Sequence, residues 1–180
     1  MKKVIVFLAD GFEDMEAIIT VDLLRRAGVD VSTASIMDNR KVKSAHGVIM
    51  MADVMAADAD YESADMVILP GGGVGTENLG KNDLVREKCA SFAAGKMAAA
   101  ICAAPTVLGG LGLLDGRNAT CYPGFEGGLG KAEYKAQKVV VDGNIITGQA
   151  PGAAYEFALE LIRQLEGSEA ADMVAQQIVL

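Results

Sequence analysis

The residues able to do chemistry are few, and their positions differ in meaning. Cys102 follows the apolar run Met97-Ala98-Ala99-Ala100-Ile101 and precedes a segment with Pro105 near the first turn of a helix. A thiol where a strand passes into a helix faces unpaired N–H groups and the positive end of the helix dipole, which favour thiolate over thiol. The flanking alanines allow the tight strand-to-helix turn of a nucleophile elbow. A cysteine among alanines is also a good small hydrophobe, so spacing alone leaves nucleophile and packing residue both open. Cys89 is simpler: Val85, Cys89 and Phe92 fall at i, i+4 and i+7, the spacing of a packed helix face. Cys121 ends a strand near the rim of Cys102, either as a structural residue or as a resolving thiol.

Glu16 shares a helical stripe with Ile19 and Leu23 at i, i+3 and i+7. A carboxyl on an apolar stripe resists ionisation and can hold a proton near neutral pH, ready to hydrogen-bond a thiolate or to act as general acid or base. The alternative is a first-turn acid with a solvated head; Glu13 and Asp14 are read as first-turn acids that complement the helix dipole. His46, the one histidine, precedes Gly47 and the apolar run Val48-Ile49-Met50-Met51, as expected of a surface or interface histidine in a turn. With one histidine and scattered cysteines no metal-ligand spacing appears, and no metal is expected. The glycine run Gly71-Gly72-Gly73-Val74-Gly75-Thr76 lacks the last glycine of a dinucleotide fingerprint, and no phosphate-loop motif occurs.

These residues hang on alternating strands and helices. Strands are expected at Val4–Ala9, Asp30–Ile36, Met66–Leu69, Met97–Ile101, Asn118–Cys121, Lys138–Asp142 and Ile145–Thr147, with a pair of short strands in Val48–Val54. The last two long strands form a hairpin through Gly143-Asn144. Helices are expected at Glu13–Ala27, from the cap Asn82 to Ala94, and at Ala104–Leu111, Ala153–Leu165 and Glu169–Ala175. Such alternation predicts an α/β sandwich around a parallel sheet, and these sheets bind ligands beyond the carboxyl ends of their strands. Those ends carry Asp10-Gly11, Pro70 to Gly75, Cys102, Tyr122 to Gly124 and Gln149 to Gly152.

Composition narrows the function classes. The chain has 180 residues, 51% of them apolar and 22% charged, which suits one domain spanning 1–180 and excludes a disordered chain. Sixteen basic against 24 acidic residues give a net charge of -8, so nucleic acid is not an expected partner. No apolar run is long enough to span a membrane. Asp10 interrupts the N-terminal apolar run too early for a signal peptide. Three cysteines without framework spacing fit reduced thiols in the cytoplasm.

Four ordered motifs, Phe7-Leu8-Ala9-Asp10-Gly11-Phe12-Glu13-Asp14-Met15-Glu16, Leu69-Pro70-Gly71-Gly72, Ala100-Ile101-Cys102-Ala103-Ala104-Pro105 and Ala150-Pro151-Gly152, resemble the ThiJ/PfpI superfamily nearly end to end. The nearest resemblance is to the clade of the parkinsonism-associated protein deglycase and its bacterial relatives. It implies a flavodoxin-like three-layer sandwich, a homodimer, no cofactor, Cys102 as nucleophile and Glu16 as the carboxyl that contacts it. It further implies an oxyanion pocket from the backbone of Gly72 and Ala103, with Gly71, Gly73, Tyr122 and Pro151 lining it. Members are described as cofactor-independent glyoxalases converting methylglyoxal to lactate, and as deglycases, chaperones or stress proteins whose cysteine oxidises to a sulfinate. Two departures stand out. Peptidase-like members have histidine immediately after the cysteine, where this chain has Ala103. Glyoxalase-active members often carry a loop histidine where this chain has Tyr122, and a phenol with a pKa near 10 is a poor base at neutral pH.

Three functions follow as expectations. The first is an enzyme acting on a small aldehyde or dicarbonyl through Cys102 and Glu16. The second is a redox-sensing or chaperone-like protein that uses oxidation of Cys102 without obligatory turnover. The third, hydrolysis of peptides or amides, requires a base beside Cys102, and His46 is the only imidazole available.

Overall fold

A computed structural model describes residues 1–180. Its main sheet has seven strands in the order β10-β11-β7-β6-β1-β2-β5. They are β1 (Lys3–Leu8), β2 (Asp30–Ser35), β5 (Val54–Met55), β6 (Met66–Leu69), β7 (Met97–Ile101), β10 (Val139–Asp142) and β11 (Ile145–Gly148). All neighbours are parallel except β10 and β11, which form the expected antiparallel hairpin.

Helices cover both faces, which is why β1 is apolar at every position but its first. Val4, Val6 and Leu8 point into a cluster of 25 buried residues with Leu23 and Leu24 of α1 (Asp14–Arg26), Phe157 and Leu161 of α5 (Ala154–Glu166) and Val174 of α6 (Ser168–Gln177). Ile5 and Phe7 point into the opposite cluster of 22. There they meet Leu79 of α2 (Gly73–Lys81), Val85 and Phe92 of α3 (Asp83–Gly95) and Leu108 of α4 (Pro105–Gly110). The fold is the expected mostly parallel sandwich with a flavodoxin-like layout. The chain leaves β1 toward one face and β6 toward the other, which opens a crevice between their carboxyl ends.

Three segments differ from expectation. Gly73–Lys81 is a helix and not only a turn, although three of its nine residues are glycine. Tertiary contact overrides propensity here, because a Cβ at Gly75 would lie 2.8 Å from the backbone nitrogen of Phe12. Lys41–Lys43 (β3) is a strand that apolar patterning does not reveal, paired antiparallel with β4 (Ile49–Met51) as a flap beside the main sheet. The strand at Asn118 stops at Ala119 (β8), and it pairs with β9 (Glu133–Tyr134) in a separate ribbon. No helix is long and apolar enough to cross a membrane.

Candidate active site

Cys102 follows the last residue of β7 at the carboxyl edge of the sheet, next to the crevice. Its φ of 67° lies in the left-handed region, which a side chain with Cβ occupies at a cost of about 1–2 kcal/mol. The surrounding backbone holds it there. Its N–H donates to the Gly148 carbonyl at 3.0 Å, its carbonyl accepts the Tyr122 N–H at 2.8 Å, and Ala104 N–H closes the turn onto the Ile101 carbonyl at 3.1 Å. This is the strained elbow that the alanine-flanked turn predicted.

Glu16 occupies the buried stripe of α1 and is fully buried, as is Leu23, while Ile19 is half-buried. Its Oε2 accepts the Gly71 N–H at 2.8 Å. The Cys102 thiol faces the same carboxyl. Oε1 is buried without a hydrogen-bond partner. The solvated first-turn reading of Glu16 is thereby set aside. Burial raises the carboxyl to about 7, countered by the Cys102 thiol and the Gly71 N–H and reinforced by the charge of Glu13.

The thiol meets the backbone N–H groups of Gly72 and Ala103. Both pull its pKa down, as a helix-terminus site should. Burial, followed by the charge of Glu16 and its contact with the sulfur, outweighs them and pushes Cys102 up to about 12. The sequence expectation of a resting thiol lowered by the helix end is therefore not met. Helix α4 spans only six residues, and Cys102 is 8% exposed.

Gly71 and Gly72 make the geometry possible. A Cβ at Gly71 would lie 2.5 Å from both Cys102 Cβ and Glu16 Oε2. Gly72 has a φ of 90°, and a Cβ there would lie 2.2 Å from the Gly11 carbonyl oxygen. Glu13 ties this loop to α1: its N–H donates to the Gly71 carbonyl at 3.0 Å, and its Oε2 caps the helix by accepting Glu16 N–H at 2.8 Å.

Cys102, Glu16, Gly71, Gly72 and Ala103 thus converge. Gly73 opens α2 beside them, with open space where a Cβ would be. Tyr122 joins through its backbone, while its ring stands edge-on to Phe125 at 6.1 Å and is 43% exposed. Pro151 opens the turn after β11, the strand that pairs with β7. Cys89 and Cys121 are fully buried and free, pushed up to about 12 and about 11 by burial. A cavity of about 330 Å³ between α2, α3 and α4, with Thr76, Arg86 and Thr106 in its wall, includes neither Cys102 nor Glu16.

His46 is not among the groups at the thiol. It sits in the β3–β4 turn, with its side chain 74% exposed and Nδ1 2.8 Å from Asp14 Oδ2. Asp14 also accepts the Ser44 hydroxyl. Sequence reasoning missed this grouping, because a separation of 32 residues from Asp14 to His46 leaves no local spacing to read.

The model of the DJ-1/PfpI family matches residues 2–164. Protein dj-1beta of Drosophila melanogaster is 40% identical over 182 residues, covering 99% of this chain and 97% of the relative. Glutathione-independent glyoxalase DJR-1.2 of Caenorhabditis elegans is 33% identical over 171 residues, covering 93% and 90%. The structure of oxidized Toxoplasma gondii DJ-1 superposes with a TM-score of 0.95 at 36% identity, covering 99% of this chain and 98% of that one. Full-length similarity in both sequence and fold accounts for the elbow and the glycine loop together: this chain belongs to the DJ-1/PfpI family.

Proposed function

We propose that the protein is a cofactor-independent cysteine enzyme that converts small reactive dicarbonyls, methylglyoxal above all, to 2-hydroxy acids. One observation carries this reading: a buried carboxyl raised to about 7 lies against a thiol that also faces two backbone N–H groups. The pair can share one proton. With the proton on Glu16, the sulfur is a thiolate relieved of the carboxylate's charge and able to accept from a neutral acid.

Cys102 thiolate then adds to the aldehyde carbon, and Glu16 gives its proton to the resulting alkoxide, forming a hemithioacetal. Carboxylate Glu16 next removes the hydrogen from that carbon, and the pair of electrons moves to the neighbouring ketone. Reprotonation of the ketone carbon from Glu16, with the hydroxyl proton of the former aldehyde carbon passing to the neighbouring oxygen, leaves a thioester of the 2-hydroxy acid. Water releases the acid and restores the thiol. The aldehyde carbon is oxidised and its neighbour reduced, so no external redox partner enters. The N–H groups of Gly72 and Ala103 suit the oxyanion of the addition and hydrolysis steps. Tyr122 provides a phenol where the glyoxalase-active clade often has histidine, so proton transfer falls to Glu16.

The glyoxalase name of the Caenorhabditis elegans relative supports this reading. The test is lactate formation from methylglyoxal in the absence of glutathione. Wild type is expected to form it and Cys102→Ser not, and no lactate above a boiled control would overturn the proposal.

A second reading, a redox-sensing role for the same thiol, is favoured by exposure: Cys102 is 8% exposed, whereas Cys89 and Cys121 are fully buried. Peptidase or amidase chemistry lacks its base, because His46 is paired to Asp14 rather than to the thiol. The reading further takes residues 1–180 as one domain working as a homodimer in a reducing compartment such as the cytoplasm. Exposed Met15 and Ile18 of α1 and Val48, Ile49 and Met51 of the flap supply apolar surface for a second copy.

A further inference from the structure

Tyr122 and Phe125 stand on one tight turn at the elbow, and the chemistry above uses neither ring. Phe125 N–H donates to the Tyr122 carbonyl at 3.0 Å, Pro123 and Gly124 fill the two central positions, and Gly124 has a φ of 96°. Proline before a positive-φ glycine is the pattern of a type II turn. The turn is held along its length. At its start the Tyr122 N–H is bonded to the carbonyl of Cys102 itself, at 2.8 Å. At its centre both Glu126 carboxylate oxygens accept the Gly124 N–H, at 2.9 and 3.0 Å. Just beyond it Gly128 closes against α4, where a Cβ would lie 2.6 Å from Thr106 Cγ2.

This braced turn leaves two large rings partly open to solvent. They stand edge-on with 85° between their planes, and Phe125 is 42% exposed, much as Tyr122 is. Rings already fixed by their backbone lose little freedom when a third ring packs on them, so the pair is preorganised for an aromatic guest. Its bond to the backbone of the nucleophile puts this surface at the elbow rather than elsewhere on the rim. Charge narrows the guest further. From Asn118 to Gly130 there is no lysine or arginine, and Glu126 is the only charged residue. Its carboxylate is committed to Gly124 N–H and repels a carboxylate or phosphate on the guest.

We propose that Tyr122 and Phe125 are specificity residues that extend the substrate class to 2-oxoaldehydes with an uncharged aromatic substituent on the ketone carbon. The inference rests on the reading of Cys102 and Glu16 as a dicarbonyl-converting pair. Cys102 adds to the aldehyde carbon as before, and the substituent beyond the ketone packs on the two rings. With phenylglyoxal as the probe, the aldehyde carbon is oxidised, the ketone carbon is reduced, water is the only co-reactant and the product is mandelate. Aromatic contacts of this kind strengthen binding roughly tenfold. The phenol at position 122, a poor base at neutral pH, thus acts through its ring face.

The test pairs turnover with binding. Wild type is expected to form mandelate from phenylglyoxal without glutathione. Phe125→Ala is expected to lower the ratio of kcat/KM for phenylglyoxal to that for methylglyoxal roughly tenfold, chiefly through KM for phenylglyoxal, and Phe125→Tyr to keep it. Binding is read without turnover. Mandelate titrated into wild type is expected to shift the NMR ring signals of Tyr122 and Phe125, assigned with Tyr122→Leu and Phe125→Ala, and to bind roughly tenfold tighter than lactate. No turnover of either dicarbonyl, with mandelate still shifting both rings, would remove the dicarbonyl reading and keep the aromatic site. A ratio unmoved by Phe125→Ala, or mandelate binding no tighter than lactate, would overturn the aromatic specificity and leave the dicarbonyl reading standing.

Discussion

Glu16 and Cys102 approach each other across Gly71, a residue with no side chain to keep them apart. A Cβ built on Gly71 would fall 2.5 Å from the Glu16 carboxylate oxygen and 2.5 Å from Cys102 Cβ. The acid arrives from α1 and the thiol from the end of β7, so neither element alone contains the site.

Glu16→Gln is expected to stabilise the fold, and more so at higher pH. The folded carboxyl titrates near 7 and an unfolded one near 4.5, so the folded state binds the extra proton between these values. Stability therefore falls as pH rises through that window. Glutamine keeps the acceptor for Gly71 N–H and removes the buried charge. Denaturant melts at pH 8 should show a gain on the order of 1–3 kcal/mol that shrinks toward pH 4. A variant less stable than wild type at pH 8 would count against a buried, reluctant carboxylate.

Gly71→Ala is expected to wedge the pair apart. Stability should drop by about 1–3 kcal/mol from overpacking. Turnover should fall by roughly 100-fold, because the thiol and its acid are displaced by a distance that matters to proton transfer. Thermal unfolding and dicarbonyl kinetics on the same sample check both. Unchanged activity would show that the close approach is dispensable.

Mild peroxide is expected to oxidise Cys102 first. Cys89 and Cys121 are fully buried and lack neighbouring N–H donors that favour a thiolate. Peptide mass spectrometry at sub-stoichiometric oxidation should find sulfenate or sulfinate on Cys102 alone. Sulfinate appearing earlier on Cys89 or Cys121 would remove the redox reading.

Association should depend on the apolar surface of α1 and the flap. Sedimentation velocity is expected to give twice the 18.7 kDa chain mass for wild type. Ile18→Asp and Ile49→Asp, both at exposed positions, are expected to shift it toward the monomer. Monomeric wild type would contradict the homodimer.

Much of this site was legible in the sequence because it follows from local rules. A thiol at the end of Met97–Ile101 allows a strand-to-helix elbow but leaves nucleophile and packing residue both open, and Glu16 in register with Leu23 offers a buried acid beside a solvated one. What local rules cannot supply is the balance of terms at the sulfur. The helix end favours thiolate, yet burial and the Glu16 charge push the thiol the other way, and both depend on elements distant in sequence. Helix α2 was hidden because its glycines lower helix propensity while close packing against Phe12 requires one of them. The flap strand Lys41–Lys43 alternates exposed and buried positions over only three residues, too short for a period to show. His46 read as an exposed turn residue, correctly, but its pairing with Asp14 is a tertiary contact.

The most direct test of the central claim is the protonation of Glu16 itself. A ¹³C NMR titration of the glutamate carboxyl carbons, assigned by comparison with Glu16→Gln and run in chelator-treated buffer, isolates this group. One carboxyl titrating with a midpoint near 7 is predicted. A Glu16 midpoint at the ordinary carboxylate value near 4.5 would contradict a shared proton between Glu16 and Cys102, and with it the proposed acid–base role.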